Sequence, residues 1–279
     1  MKYYVVLSFV LLIALTSNAQ LRYPVVGVYK KCSAQGMAIW NDLAFLMSDG
    51  GRCRVYNLKS SKTTNEFMLA SAYKDNHVNN ACFGKEYSEK GCCPALYITE
   101  CKNKYRCFVE NISEDTSQLV QTIQAKENDK VLPVLIWVTD ARNRFLYAVT
   151  RSGKRLDSIG TVNNTITKYR LPLLQEGKEI RLTEKDILDR FVIPFPNILQ
   201  GAKIRGKYMY IVTGLQETSN ARLDSKRAIK VIDLKTKTLK KNIDLTCVTM
   251  NEPEDMDFYK GKALLYCGQN GGLYNVKLK

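Results

Sequence analysis

The sequence predicts an all-β chain folded as a five-bladed β-propeller, and three observations carry that prediction. One layout recurs along the chain: a short strand, a tight polar turn, an apolar strand, another turn and an alternating strand. The positions that open each copy, Gln35, Asn79, Leu132, Gln200 and Glu254, are spaced 44, 53, 68 and 54 residues apart, the period of four-stranded propeller blades. Sustained 3.6-residue periodicity is missing, so little helix is expected.

The copies follow in order. The first runs from Gln35-Gly36-Met37-Ala38-Ile39 through an apolar strand at 43–47 to an alternating strand at 52–59, with Asn41-Asp42 as the first turn. The second opens at Asn79-Asn80-Ala81-Cys82-Phe83 and continues at 95–99 and 105–111. The third opens at Leu132, continues at 145–150 and is the longest. Within it, residues 183–191 read as a short helix with Thr183 as N-cap, and Pro194 and Pro196 stop regular structure after it. The fourth opens at Gln200 and turns at Arg205-Gly206. The fifth opens at Glu254, turns at Lys260-Gly261 and runs out after three strands. A strand around residues 23–29 has no blade of its own and is expected to complete the last blade, pairing with residues 272–278 and closing the ring. Six blades are the alternative, if the long third copy hides another unit.

The first nineteen residues stand outside this fold. Met1-Lys2, an apolar run at 4–15 and small residues at Ser17 and Ala19 form an export signal cleaved after Ala19. The run is too short to span a membrane, so no membrane span is expected in the mature chain, which is placed in the periplasm or secreted. The net charge of +15 over 279 residues excludes neither binding nor catalysis. The basic groups at Arg142, Arg144, Arg151, Lys154 and Arg155, and at 226–241, could bind anionic glycans, lipopolysaccharide or nucleic acid. The better reading is that Lys230, Lys235, Lys237, Lys240 and Lys241 fall on strand edges and turns, where Lys prevents edge pairing. With export, nucleic acid is not expected as a partner. The chain is expected to act as a monomer.

Nine cysteines meet an oxidising space. A turn centred on Lys104 would set Cys101 opposite Cys107, within disulfide reach. One histidine in the whole chain argues against a Cys/His zinc site. With no P-loop, GxGxxG, GxSxG or HExxH, no cofactor is expected.

The stretch from Gln35 to Lys59, the runs Asp75-Asn76-His77-Val78-Asn79-Asn80 and Pro94-Ala95-Leu96-Tyr97-Ile98-Thr99-Glu100-Cys101, and Asn251-Glu252-Pro253-Glu254-Asp255 together resemble a group of secreted β-propeller proteins of Bacteroides-type bacteria. The resemblance covers nearly all of the mature chain and implies a Gram-negative periplasmic or secreted setting. That group has no assigned reaction, so no catalytic residue carries over. At fold level the chain is also similar to five-bladed propellers that bind teichoic acid or act as phage receptors, and fold alone does not give function.

Three clusters carry candidate chemistry. Asp75 and His77 sit in the densest polar run, where His77 is either a ligand-binding or acid/base residue or a passenger among turn-forming residues. Glu252, Glu254, Asp255 and Asp257 either hold a cation or do acid/base work, or are simply solvated. The opening positions converge on the propeller axis, and four of the five are polar. Either Gln35, Asn79 and Gln200 bond to neighbouring backbone and water, or they form a pocket with Asp75, His77, Glu252, Glu254 and Asp255. In the pocket the amides bond to a small hydroxylated or glycan-like ligand, Glu254 accepts from a hydroxyl or holds a cation, and His77 sits at the rim. The functional expectation is a binding or scaffold module for such a ligand or for an envelope protein. The alternative is a propeller hydrolase or lyase acting on carbohydrate through axial carboxylates.

Overall fold

A computed structural model describes residues 21–23, 33–73, 75–87, 91–113, 115–152, 162–215, 226–249, 251–268 and 272–278. The export signal, Cys32, most of the 23–29 segment, Lys154 and Arg155 lie outside the described residues. Alternating side chains build five antiparallel sheets. Blade 1 holds β2 (Ala34–Trp40), β3 (Leu43–Ser48), β4 (Arg52–Asn57) and β5 (Lys62–Met68). Blade 2 holds β6 (Val78–Phe83), β7 (Leu96–Glu100), β8 (Cys107–Ile112), β9 (Ser117–Glu127) and β10 (Lys130–Val131). Blade 3 holds β11 (Val134–Asp140), β12 (Phe145–Ser152), β13 (Asn163–Arg170) and β15 (Ile187–Pro194). Blade 4 holds β16 (Leu199–Arg205), β17 (Tyr208–Thr213), β18 (Ala228–Asp233) and β19 (Thr238–Asp244). Blade 5 holds β20 (Pro253–Tyr259), β21 (Lys262–Cys267) and β22 (Leu273–Val276), with β1 (Leu21–Tyr23) as its outer strand.

The ring closes as the unpaired fifth copy requires, with the closing strand slightly earlier than expected: Leu21 pairs with Tyr274 and Tyr23 with Leu273. The long third copy hides no sixth blade. Its surplus is β14 (Glu179–Leu182), which leaves blade 3 and pairs in parallel with β9 of blade 2, Glu179 against Thr122 through Leu182 against Ala125. Gln121 anchors the excursion by donating its amide to the carbonyls of Leu173 and Gly177, both at 2.9 Å.

The expected helix at 183–191 is corrected. Thr183 does cap a turn, in a reciprocal pair with Asp186, but only Glu184–Asp186 is helical, as a single 3-10 turn. From Ile187 the chain is strand. Ile187, Asp189, Phe191 and Ile193 face inward, while Leu188, Arg190, Val192 and Pro194 are exposed. A period of two fits that pattern and a helix does not.

The expected Cys101–Cys107 disulfide is also corrected: both are free thiols. Cys107 pairs with Thr99, so the turn is centred near Asn103. Cys101 falls past the strand end, where its N–H donates to the His77 carbonyl at 3.2 Å. Basic residues behave as expected in β19, an exposed edge strand carrying Lys240 and Lys241. Lys230 departs from that pattern. It is buried in β18, its Nζ 5.5 Å from the Phe195 ring centre, and burial lowers its pKa.

One feature recurs in all five blades. Each innermost strand carries a β-bulge near its start, at Gln35-Gly36, Asn79-Asn80, Leu135-Ile136, Gln200-Gly201 and Glu254-Asp255. The third blade's equivalent of the other openers is therefore Leu135, three residues beyond the expected Leu132. A bulge sets two residues against one and re-aims the side chains, and here it turns them into the axis.

Candidate functional site

The bulge side chains lace the ring together. Asp255 Oδ2 accepts the N–H of Met37 at 2.8 Å and of Ala81 at 3.2 Å, while Oδ1 accepts its own neighbour Met256 at 2.7 Å. Burial raises the Asp255 pKa, opposed by those N–H donors and by Lys203. Asn80 donates to the Trp137 carbonyl and accepts from Ala202 N–H, each at 2.8 Å. Asn79 donates to the carbonyls of Leu135 at 3.0 Å and Gln200 at 2.6 Å. Gly201 is small of necessity: a Cβ there would lie 2.3 Å from Asp255 Oδ1. One layer below, Lys203 bonds to Asp257 at 2.5 Å, and Asp257 also accepts the Ile39 N–H at 2.8 Å. Burial, the largest single influence, lowers the Lys203 pKa, but Asp257, Cys82 and Asp255 together outweigh it and the pKa is raised.

Asn79, Asp255 and Asp257 are thus engaged in holding blades to one another. Of the four carboxylates in this cluster, Glu252 and Glu254 are left for other chemistry. Glu252 accepts from the Gln200 amide at 2.7 Å, and Gln200 also donates to Gly214 O at 2.8 Å. Burial raises the Glu252 pKa, with the Gln200 amide opposing. Glu254 is 1% exposed, yet neither carboxylate oxygen has a hydrogen-bond partner. Burial, then Glu252, Asp255 and Asp49, push its pKa well above the usual carboxylate range. At the equivalent bulge position of the next blade, Gln35 is 6% exposed and its Oε1 is likewise unpartnered.

Asp75 and His77 lie apart from this axial layer, in a cleft of about 480 Å³ lined by Tyr73, Asp75, Asn76, His77, Lys102, Asn103 and Lys104. The link into β6 and the β7–β8 turn form its two walls. Asn103, in the left-handed region at φ 60°, donates to the Asp75 carbonyl at 2.8 Å and ties the walls together. Lys102 Nζ stands 3.4 Å from His77 Nδ1. A protonated lysine can only donate, so Nδ1 accepts and the imidazole proton sits on Nε2. Burial, then the Lys102 charge, lowers the His77 pKa, opposed by Asp49. Asn76 is buried and its Oδ1 has no partner. Under the cleft, buried Glu100 accepts from Tyr73 Oη and from Arg106, whose Nε approaches to 2.7 Å. Asp49 links the two regions, since both His77 and Glu254 lie within its field.

Eight expected site residues therefore fall into two neighbouring groups: six on the axis and two in the cleft. Tyr73, Asn76, Lys102, Asn103 and Lys104 carry no motif. Only the meeting of a loop with a distant hairpin turn makes them a wall. Among the described residues, no three His, Cys, Asp or Glu side chains close on a common metal position, and no helix is long and apolar enough to cross a membrane.

No protein-family model matches the chain, and no curated protein does. Among solved structures it is similar to apo AztD from Citrobacter koseri, with 14% identity and a TM-score of 0.37 over 76% of this chain and 46% of that one. The chain spans under half of that structure's length, and a likeness of this size bears on neither ligand nor activity.

Proposed function

We propose that the protein is an exported binding module whose cleft at Tyr73–Lys104 takes a small hydroxylated or glycan-like ligand bearing an acidic group. The observation that carries this reading is the composition of the cleft. The Tyr73 ring offers a face for an apolar sugar surface. Asp75 accepts from hydroxyls. Lys102, Lys104 and the Nε2–H of His77 supply donors for an anionic substituent. Export follows from the leader-like first nineteen residues and from the resemblance to secreted propellers of Bacteroides-type bacteria. An envelope protein that displays such a group is a partner of the same chemistry.

Calorimetric titration with matched neutral and uronic-acid sugars tests the reading. Acidic sugars are expected to bind more tightly than neutral ones. Lys102→Ala with Lys104→Ala should remove that preference, and Tyr73→Ala should weaken both classes. Equal affinity for both classes in wild type, or full affinity in the folded variants, overturns it. Mass analysis of the mature N-terminus, expected at Gln20, checks export.

A further inference from the structure

We propose that the oxygen cluster of Glu254, Glu252 and Gln35 on the propeller axis is a binding site for a hard divalent cation of the calcium class. The site is distinct from the cleft and does not depend on what the cleft binds.

The argument begins with an imbalance. Glu254 is almost wholly buried with both carboxylate oxygens unpartnered, whereas buried carboxylates are ordinarily paired or hydrogen-bonded. Its charged surroundings make matters worse, since Glu252, Asp255 and Asp49 are all acidic. Lys203, the base beside Asp255, is bonded to Asp257. A second, independent observation comes from the equivalent bulge position of the adjacent blade. Gln35, from the adjacent blade, brings a buried amide oxygen that also lacks a partner. Its counterparts Asn79 and Gln200 at the same bulge position are hydrogen-bonded.

The one side-chain donor on Glu252 is the Gln200 amide, and the oxygens of Glu254 and Gln35 meet none, so the missing component must be positive or rich in donors. Packing leaves it little room. Glu254 Oε1 lies so close over Gly268 that a Cβ on that residue would be 2.3 Å away. A compact ion fits this constraint better than an organic group. The donors are all oxygen, from two carboxylates and one amide carbonyl, which is the ligand set of hard cations. Two carboxylates also match a double positive charge. Calcium accepts irregular geometry and completes its shell with backbone carbonyls and water, whereas magnesium demands a near-ideal octahedron. Too few carboxylates meet here to make a cage of acidic side chains alone, which again favours the more tolerant ion.

The test uses the full chain, stripped with a chelator and titrated with calcium chloride by calorimetry and by thermal unfolding. Wild type is expected to take up one calcium per chain and to melt at higher temperature with it; magnesium should act more weakly. Glu254→Gln keeps the shape and should lower calcium affinity at least tenfold. Gln35→Leu leaves both carboxylates in place and should also weaken it. Sugar binding in the cleft should persist in both variants, which separates this site from the other. Absence of calcium uptake by stripped wild type overturns the proposal and leaves Glu254 as a buried neutral acid. Undiminished uptake by folded Glu254→Gln overturns it as well.

Discussion

Asp255 shows how much of this fold hangs on single axial side chains. Its carboxylate caps N–H groups of blades 1 and 2 from a strand of blade 5. Asp255→Ala leaves those N–H groups buried without acceptors, at roughly 1–3 kcal/mol each, so a loss of about 3 kcal/mol or more is expected in a urea unfolding curve. Asp255→Asn keeps one acceptor oxygen and should fall between the two. His77 gives a pH signature. Its folded pKa lies below the ordinary 6.5, held down by burial and then by Lys102, with Asp49 pulling the other way. The unfolded chain therefore binds the proton more readily. The stability associated with a neutral His77 is present above about pH 6.5 and is lost as pH falls through the depressed value. Melting temperatures measured from pH 7.5 downward should decline through that window in wild type and decline less in His77→Gln.

At the scale of elements, what was legible depended on whether the signal was local. Alternating strands with polar two-residue turns, such as the one at Lys260-Gly261 with both residues at positive φ, announce themselves along the chain. The polar bulge positions were visible too, because amides and acids recur where a core strand would carry valine. Their division of labour was not. Nothing near Asn79 in sequence says that it bonds to Gln200 O while Gln35 Oε1 meets no partner. The turn after β7 is centred one residue before the position its sequence predicts, which is enough to separate two cysteines. The segment 183–191 carries a helix cap followed by a strand, and the cap spoke first. The crossing of β14 to blade 2 joins residues far apart in the chain through backbone bonds, so no side-chain pattern betrays it. Gln121 is the joint of that crossing. Gln121→Ala removes its bonds to the carbonyls of Leu173 and Gly177 and should cost about 1–3 kcal/mol. Hydrogen exchange should then show faster exchange at 179–182, with blades 4 and 5 unaffected.

For the molecule as a whole, the pairing of β1 with β22 has a consequence for connectivity. An outer strand supplied by one end of the chain completes a blade supplied by the other, and the backbone bonds across that seam are the same kind as those inside every other blade. The fold is therefore indifferent to which blade carries the seam. The exposed turn between β18 and β19, around Thr236, is equivalent in place. A circular permutant that opens there, and joins residue 278 to residue 21 through a short flexible linker, would begin with β19 and end with β18. It would close on blade 4 as the natural chain closes on blade 5. Such a permutant is expected to fold and to keep both the axial cation site and the cleft. A permutant that melts without cooperativity would show instead that the seam must stay in blade 5.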